Sequence, residues 1–261
     1  MDRFASLAMT VIARSAAMTV IARSAATKQS NMNDIKYFKE FNIDAGFTCK
    51  PNEAVAAREG KIGTCDLVVR AKLVHGTDVC IVDKDALSQK PYLEVDECDG
   101  LITDIPGVML TTTHGDCIPV YAYDPVKKVI GLCHAGWRGT ADCIVSNMIY
   151  WMQEEYHCKV KDIHAVIGAG IGMCCFEVDD DVVDYFTEGM PWTEEYMLKK
   201  PSGKYAVDLK GINCELLEIE GVLAENIFID DSCTCCKENE DKFWSYRRAK
   251  DKERMLAYIK L

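Results

Sequence analysis

Apolar residues along this chain recur in two rhythms. Short runs rich in Val, Ile, Leu and Thr at 67–74, 79–82, 107–113, 118–123 and 129–133 predict β-strands, and 163–167 predicts another. Between 141 and 156 the period changes, with Ile144, Met148 and Met152 spaced as on one face of a helix. Segments 179–187 and 210–222 predict two further helices. The segment HAGWRGT (134–140) leaves a predicted strand and enters the 141–156 helix, so it reads as a strand–loop–helix junction. A helix N-terminus there would turn free backbone N–H groups towards an anion. Strands and helices alternate without the even spacing of a doubly wound sheet, so the expected fold class is mixed α/β (α+β).

No Pro/Gly/Ser linker and no repeat interrupts residues 32–261, which predicts a single catalytic domain. The segment before it differs. MTVIARSAA at 9–17 recurs letter for letter at 18–26, and residues 1–31 carry Arg3, Arg14, Arg23 and Lys28 against Asp2 alone. A basic leader rich in Ser and Ala superficially resembles an organellar transit peptide, whereas arginines within the apolar stretch argue against a secretory signal. The letter-for-letter duplication favours a translated upstream repeat, with the working protein starting at Met32 and residues 1–31 disordered or artefactual.

At 261 residues and 49% hydrophobic, the chain can bury a sizeable core. Its net charge of −11 argues against nucleic acid and membrane surfaces as partners. A local basic pocket can still take a phosphate. The 14 cysteines include Cys80, Cys133, Cys143 and Cys214 within apolar segments, where a thiol behaves as a small hydrophobe. That usage points to a reducing cytoplasm rather than to a disulfide scaffold. No apolar run reaches the roughly 18 residues of a membrane span.

Three residues carry the candidate chemistry. His75, Cys117 and His134 each follow a strand-like run, and together they make two imidazoles and one thiolate. That is a zinc donor set with one tetrahedral position open, as a catalytic site requires. The alternative is two buried histidines and a core cysteine. Asp78 and Asp116 lie near two of the donors in sequence, so either could orient a histidine. His114 is an additional candidate ligand. Arg138 in GWRG offers a planar fork suited to phosphate, or else ties the loop to a carboxylate, and Trp137 reads as core. GAGIG (168–172) lacks the G-x-G-x-x-G spacing, which excludes a nicotinamide site. Cys174–Cys175 and Cys233, Cys235 and Cys236 suggest a second metal, but C-x-C-C is not a standard zinc spacing and none is expected. The arginines of FWSYRR (243–248) are expected to bond the fold's own carbonyls.

The ordered segments THGDCIPVYAYDP, CHAGWRGTA, VIGAGIGMCCFEV, YAVDL and SCTCCKENEDKFWSYRR resemble a family first described as multicopper polyphenol oxidases (laccases). Its members are now read as zinc-dependent purine nucleoside phosphorylases. The resemblance runs from residue 44 to residue 261, and the leader has no counterpart in it. It implies packed mixed sheets flanked by helices, and metal ligands at His75, Cys117 and His134. It also implies a general acid or base at Glu177 and phosphate contacts at Lys50 and Arg58. The chain departs from the family pattern in a shortened loop after residue 46, in Leu73 where a glutamine is usual, and in Ala169–Gly170 where Pro-Cys is usual. The family has a small residue at position 114, which makes His114 a wall group.

The implied reaction is zinc-dependent phosphorolysis of adenosine, inosine or 5′-methylthioadenosine, with adenosine deamination alongside. Five histidines are too few for a full multicopper oxidase. Two histidines and a cysteine are nevertheless a blue-copper donor set, so Cu2+ at the same site would support oxidation of phenolic substrates. Two other readings stand beside these: a thiol hydrolase using Cys117 on a cell-wall precursor, and a non-catalytic metal-binding protein.

Overall fold

The computed structural model describes residues 35–49 and 65–261. The leader, Lys50 and Arg58 lie outside the described residues. In chain order the strands are β1 (Asp44–Phe47), β2 (Leu67–Ala71), β3 (Val79–Ile81), β4 (Tyr92–Val95), β5 (Gly100–Thr103), β6 (Val108–His114), β7 (Ile118–Asp124), β8 (Val129–Ala135), β9 (His164–Ile167), β10 (Glu177–Val178), β11 (Met197–Lys199), β12 (Tyr205–Val207), β13 (Ile227–Ile229) and β14 (Met255–Lys260). They form a five-stranded sheet in the order β1-β14-β6-β2-β4, a six-stranded sheet in the order β13-β9-β7-β8-β5-β3, and a small sheet β10-β12-β11. The two large sheets mix parallel and antiparallel pairs.

Alternation along the six-stranded sheet explains its central place. Leu101, Tyr121, Tyr123, Ile130 and Leu132 point to one side and pack with Phe47, Leu67, Val69, Leu110 and Ile259 of the five-stranded sheet. Ile102, Val120, Ala122, Val129 and Cys133 point to the other side and meet the helices. β7 and β8 are therefore buried along their whole length, as expected for strands covered on both faces. Tyr121 adds a polar tie, its hydroxyl donating to the carbonyl of Gly46 at 2.9 Å from inside the core.

The helices are α1 (Lys36–Lys39), α2 (Trp137–Ala141), α3 (Ile144–Tyr156), α4 (Asp180–Gly189), α5 (Leu209–Glu220) and α6 (Tyr246–Ala249). α3 buries Ile144, Met148 and Met152, the stripe its periodicity predicts, and lies across β8. The predicted 141–156 helix is broken at its start. Cys143 sits in the left-handed region at φ 63° and ends the short α2 before α3 begins. α2 is a single turn, and Gly139 lets it press on the Gly76 carbonyl, 3.0 Å from where a Cβ would stand.

Among the described residues no helix is long and apolar enough to cross a membrane. The glycines of 168–172 serve packing. A Cβ on Gly170 would lie 2.4 Å from Ile118 Cδ1 and 3.0 Å from the Asp116 carbonyl, so the chain passes there only without a side chain.

That difference is testable in thermal melts. Gly170→Ala should cost about 1–3 kcal/mol, because backbone must shift. Gly131→Ala should cost less, because its Cβ would meet chiefly the mobile end of Met148, 3.0 Å from Sδ. Equal melting temperatures for the two variants would contradict the packing described.

Candidate functional site

The chain crosses between the large sheets at one end of the sandwich, and those crossings supply the donors. His75 lies between β2 of the five-stranded sheet and β3 of the six-stranded one. Cys117 lies in the turn between β6 and β7, which also changes sheet. His134 is on β8, where it faces Pro119 of β7 in register. One donor atom from each of the three lies within 4.8 Å of the others. The imidazoles of His75 and His134 stand edge to face, 5.0 Å between centroids. Gly136 leaves room among them: a Cβ there would sit 3.3 Å from Cys117 Sγ, 3.4 Å from His75 Cδ2 and 3.5 Å from His134 Cε1.

A buried carboxylate organises this group, and it is neither Asp78 nor Asp116. Asp99, fully buried at the entry to β5, accepts hydrogen bonds from the peptide N–H groups of Val74 (3.0 Å), His75 (3.0 Å) and Gly76 (2.9 Å). It also accepts from His134 Nδ1 at 2.8 Å. His75 has φ 63°, a left-handed conformation that costs a β-carbon-bearing residue about 1–3 kcal/mol. The three N–H bonds to one carboxylate hold it there. With Nδ1 of His134 engaged, Nε2 is the nitrogen left for the site, a common outer arrangement for histidine ligands. Burial alone would raise the Asp99 pKa, but His134 and the backbone donors hold it below the ordinary carboxylate value.

The two suspected aspartates do other things. The Asp78 carbonyl accepts from the N–H groups of Asp99 and Gly100, each at 3.0 Å, while its side chain is exposed. Asp116 is buried, with φ 106°. Its carboxylate accepts from the Thr234 hydroxyl (2.7 Å), the Ser245 hydroxyl (3.1 Å) and the Arg247 N–H (2.7 Å). It anchors the Cys117 turn to the C-terminal segment rather than orienting a histidine.

His114 has both ring nitrogens engaged. Nδ1 meets the Cys117 carbonyl at 3.0 Å and so carries the proton, while Nε2 accepts from the Thr112 hydroxyl at 2.8 Å. Burial pushes its pKa well down and keeps it neutral. It forms a wall behind His134, 5.2 Å between ring centroids.

The electrostatics favour a thiolate. Burial would raise the Cys117 pKa, but His134 and His75 overcome it and hold the thiol at about 6. Burial likewise disfavours charge on His134, yet the Cys117 sulfur and the Asp99 carboxylate raise its pKa to about 9. Without metal, these opposed shifts favour a thiolate–imidazolium pair. A bound cation would take the place of the imidazolium proton.

The donors open into a cavity of about 480 Å³ lined also by Arg70, Lys72, Thr113, Tyr246 and Arg254. Three of these are cations, Arg70 and Lys72 from the end of β2 and Arg254 from far along the chain, and Lys72 Nζ also donates to Asp96 Oδ1 at 2.8 Å. Strand register brings them together: β2 pairs with β6, and β14 pairs with β6 so that Met255 faces His114. Arg254 Nη1 is fixed by the carbonyls of Asp251 (2.6 Å) and Glu253 (2.9 Å).

Other sequence candidates stand elsewhere. Arg138 is exposed, its guanidinium 4.2 Å above the Trp137 ring, and is not a wall of the cavity. Trp137 meets Tyr185 edge-on at 5.7 Å. Glu177 is exposed on β10, its carbonyl accepting from Arg247 Nη1 at 2.9 Å, and is likewise outside the cavity wall. Both residues belong to the predicted motifs, on α2 and β10, but neither lines the cavity. As expected, the arginines of 243–248 bond carbonyls: Arg248 Nη1 donates to Thr234 (2.8 Å) and Arg248 Nη2 to Phe243 (2.7 Å).

Comparison with known proteins gives these features a setting. A model of the family described as multi-copper polyphenol oxidoreductase laccase matches residues 25–261. The chain is 39% identical over 191 residues to purine nucleoside phosphorylase YlmD of Geobacillus stearothermophilus, covering 71% of this chain and 69% of that protein. It is 32% identical over 183 residues to purine nucleoside phosphorylase LACC1 of Homo sapiens, covering 69% of this chain and 40% of that protein. The crystal structure of YlmD from Geobacillus stearothermophilus superposes with a TM-score of 0.76 at 30% identity, covering 89% of this chain and 97% of that one. That of Bacillus licheniformis YfiH gives 0.76 at 28%, covering 90% and 98%. With the family model matched over most of its length, the chain belongs to the multi-copper polyphenol oxidoreductase laccase family.

Proposed function

We propose that the protein is a zinc-dependent purine nucleoside phosphorylase acting on adenosine, inosine or 5′-methylthioadenosine. One observation carries the reading: a three-donor set with an open side faces a cavity rimmed by three cationic side chains. The donor chemistry fits zinc. A thiolate and two imidazoles lie close enough for one ion, and His134 is held with Nε2 free. Zinc bound there would act as a Lewis acid towards a substrate oxygen or a water. The names of the relatives support the choice of substrate.

The residues have separable roles. Arg70, Lys72 and Arg254 would bind and orient inorganic phosphate, whose oxygen attacks the anomeric carbon as the bond to the purine nitrogen breaks. Arg70 suits this, because it lines the cavity beside the three donors. The half-exposed Tyr246 ring offers an apolar face to a purine. The same donor set supports two further activities, adenosine deamination with zinc and oxidation of phenols with copper. Fourteen free thiols favour a reducing cytoplasm as the setting.

A second reading has its own support. Without metal, Cys117, His134 and Asp99 form a nucleophile, a base and a group orienting the base, the arrangement of a thiol hydrolase. Metal removal separates the two. The phosphorylase loses activity on chelation, whereas the hydrolase gains it.

His75→Ala, Cys117→Ser and His134→Ala should each remove about one zinc ion per chain and abolish phosphate-dependent release of purine base. Full zinc with full activity in any of them would sink the assignment. Arg70→Gln should raise the KM for phosphate by about 10-fold or more, the scale of one hydrogen bond to a charged group. The KM for nucleoside should change little. An unchanged phosphate KM would remove Arg70 from the phosphate site. In metal-free protein, alkylation of Cys117 followed by peptide mapping should accelerate as pH rises through about 6, where the thiolate forms. Zinc should suppress it. A midpoint near the ordinary thiol value of about 8.5 would contradict the thiolate–imidazolium pair.

A further inference from the structure

β9 and β13 are parallel neighbours in the six-stranded sheet, so the segments that follow them run side by side. The pairing continues as a parallel bridge between Gly170 and Cys233. Cys174 and Cys175 follow the first strand; Cys233 and Cys236 follow the second. One sulfur from each of these four residues lies within 4.8 Å of all the others. Cys174 Sγ is 3.4 Å and Cys175 Sγ 3.6 Å from Cys236 Sγ.

These separations suit one tetrahedral ion. Sulfurs about 2.3 Å from zinc stand about 3.8 Å apart. A disulfide needs about 2.05 Å. A cluster with bridging sulfides would spread its cysteines over separate irons, farther apart than the four found here. The expectation of no second metal came from reading the C-terminal cysteines as C-x-C-C. The residues that converge are Cys233 and Cys236, a C-x-x-C pair, and Cys235 is not one of the four.

Donors converge on one of the four sulfurs. The Gly172 N–H donates to Cys233 Sγ at 3.2 Å, and the backbone N–H groups of Cys235 and Cys236 also point to it. Arg247 Nη1 donates to the Cys175 carbonyl at 3.3 Å, and Arg248 Nη1 to the Cys236 carbonyl at 3.4 Å. Two guanidinium groups therefore stand beside a centre that would carry two net negative charges with zinc. We propose that Cys174, Cys175, Cys233 and Cys236 hold a second, structural zinc ion as a tetrathiolate. Four sulfurs leave no position open for substrate. The ion ties the 172–175 turn to the 233–236 turn, and Thr234 of the latter holds Asp116 beside Cys117. It thus braces the candidate catalytic turn from behind. The proposal does not depend on the nucleoside reading.

Metal analysis of the full chain, purified under reducing conditions, tests it. Wild-type protein should contain about two zinc ions per chain, and the double variant Cys174→Ser/Cys236→Ser about one. The double variant His75→Ala/His134→Ala should also retain about one. Reconstituted with cobalt(II), this histidine variant should show intense visible bands and the thiolate-to-cobalt charge transfer of an all-sulfur tetrahedral site. Because its four cysteines are intact, the spectrum decides the matter even if the cysteine variant fails to fold. A histidine variant that binds neither zinc nor cobalt would overturn the proposal. So would a disulfide between Cys174 and Cys236 in the reduced preparation, and one iron per chain would overturn the assignment to zinc.

Discussion

The site depends on the saturation of the Asp99 carboxylate. A buried carboxylate is costly unless its oxygens are occupied by donors. Here four hydrogen bonds occupy them, three from consecutive peptide N–H groups and one from His134. One side chain thus sets two variables together, the left-handed turn that presents His75 and the ring orientation of His134. Hydrogen bonds to a charged group are worth about 1.5–3 kcal/mol each, enough together to offset the strain at His75. The third donor has its own anchor, since Asp116 is held by Thr234, Ser245 and Arg247.

The fold makes such coupling cheap in chain length. β5 is antiparallel to β8, with Gly100 facing Cys133, so Asp99 falls beside His134 and its carbonyl accepts the His134 N–H at 2.7 Å. His75 and Cys117 lie where the chain passes from one sheet to the other, and the sheets are clamped by a shared core. The protein therefore presents its donors from rigid edges with very short turns. Preorganisation of this kind favours metal binding, because little chain entropy is lost when the ion enters.

Much of this was legible in the residues. The strands around β2, β3, β6, β7, β8 and β9 follow from runs of apolar and β-branched residues, and the apolar stripe of α3 from helical spacing. The three donors stood out through the motifs around them, since residue type alone left open two buried histidines and a core cysteine; the fold brings the three together. Asp99 was not visible. It sits in DGLITD, where a four-residue strand gives too short a pattern, and its partners are 23 to 35 residues away. Arg70, Lys72 and Arg254 were missed for a related reason, because only the pairing of β2 with β6 and of β6 with β14 brings them together. Arg138 and Glu177 stood out by motif, but a motif carries no direction, and their side chains lie outside the cavity wall. The four-sulfur group was hidden by Cys235, which masks the C-x-x-C spacing, and by the distance between β9 and β13 in sequence.

The central claim is that Asp99 organises the candidate metal-binding arrangement of His75 and His134 without itself being a ligand. The most direct measurement is the zinc dissociation constant of the His75–Cys117–His134 site in Asp99→Asn, obtained by chelator competition on folded protein. An amide offers one acceptor oxygen in place of two and turns a donor towards groups that need acceptors. The affinity should fall about 10–100-fold, the range found when an outer partner of a metal-bound histidine is lost. An unchanged constant, in a variant with native secondary structure, would contradict the account.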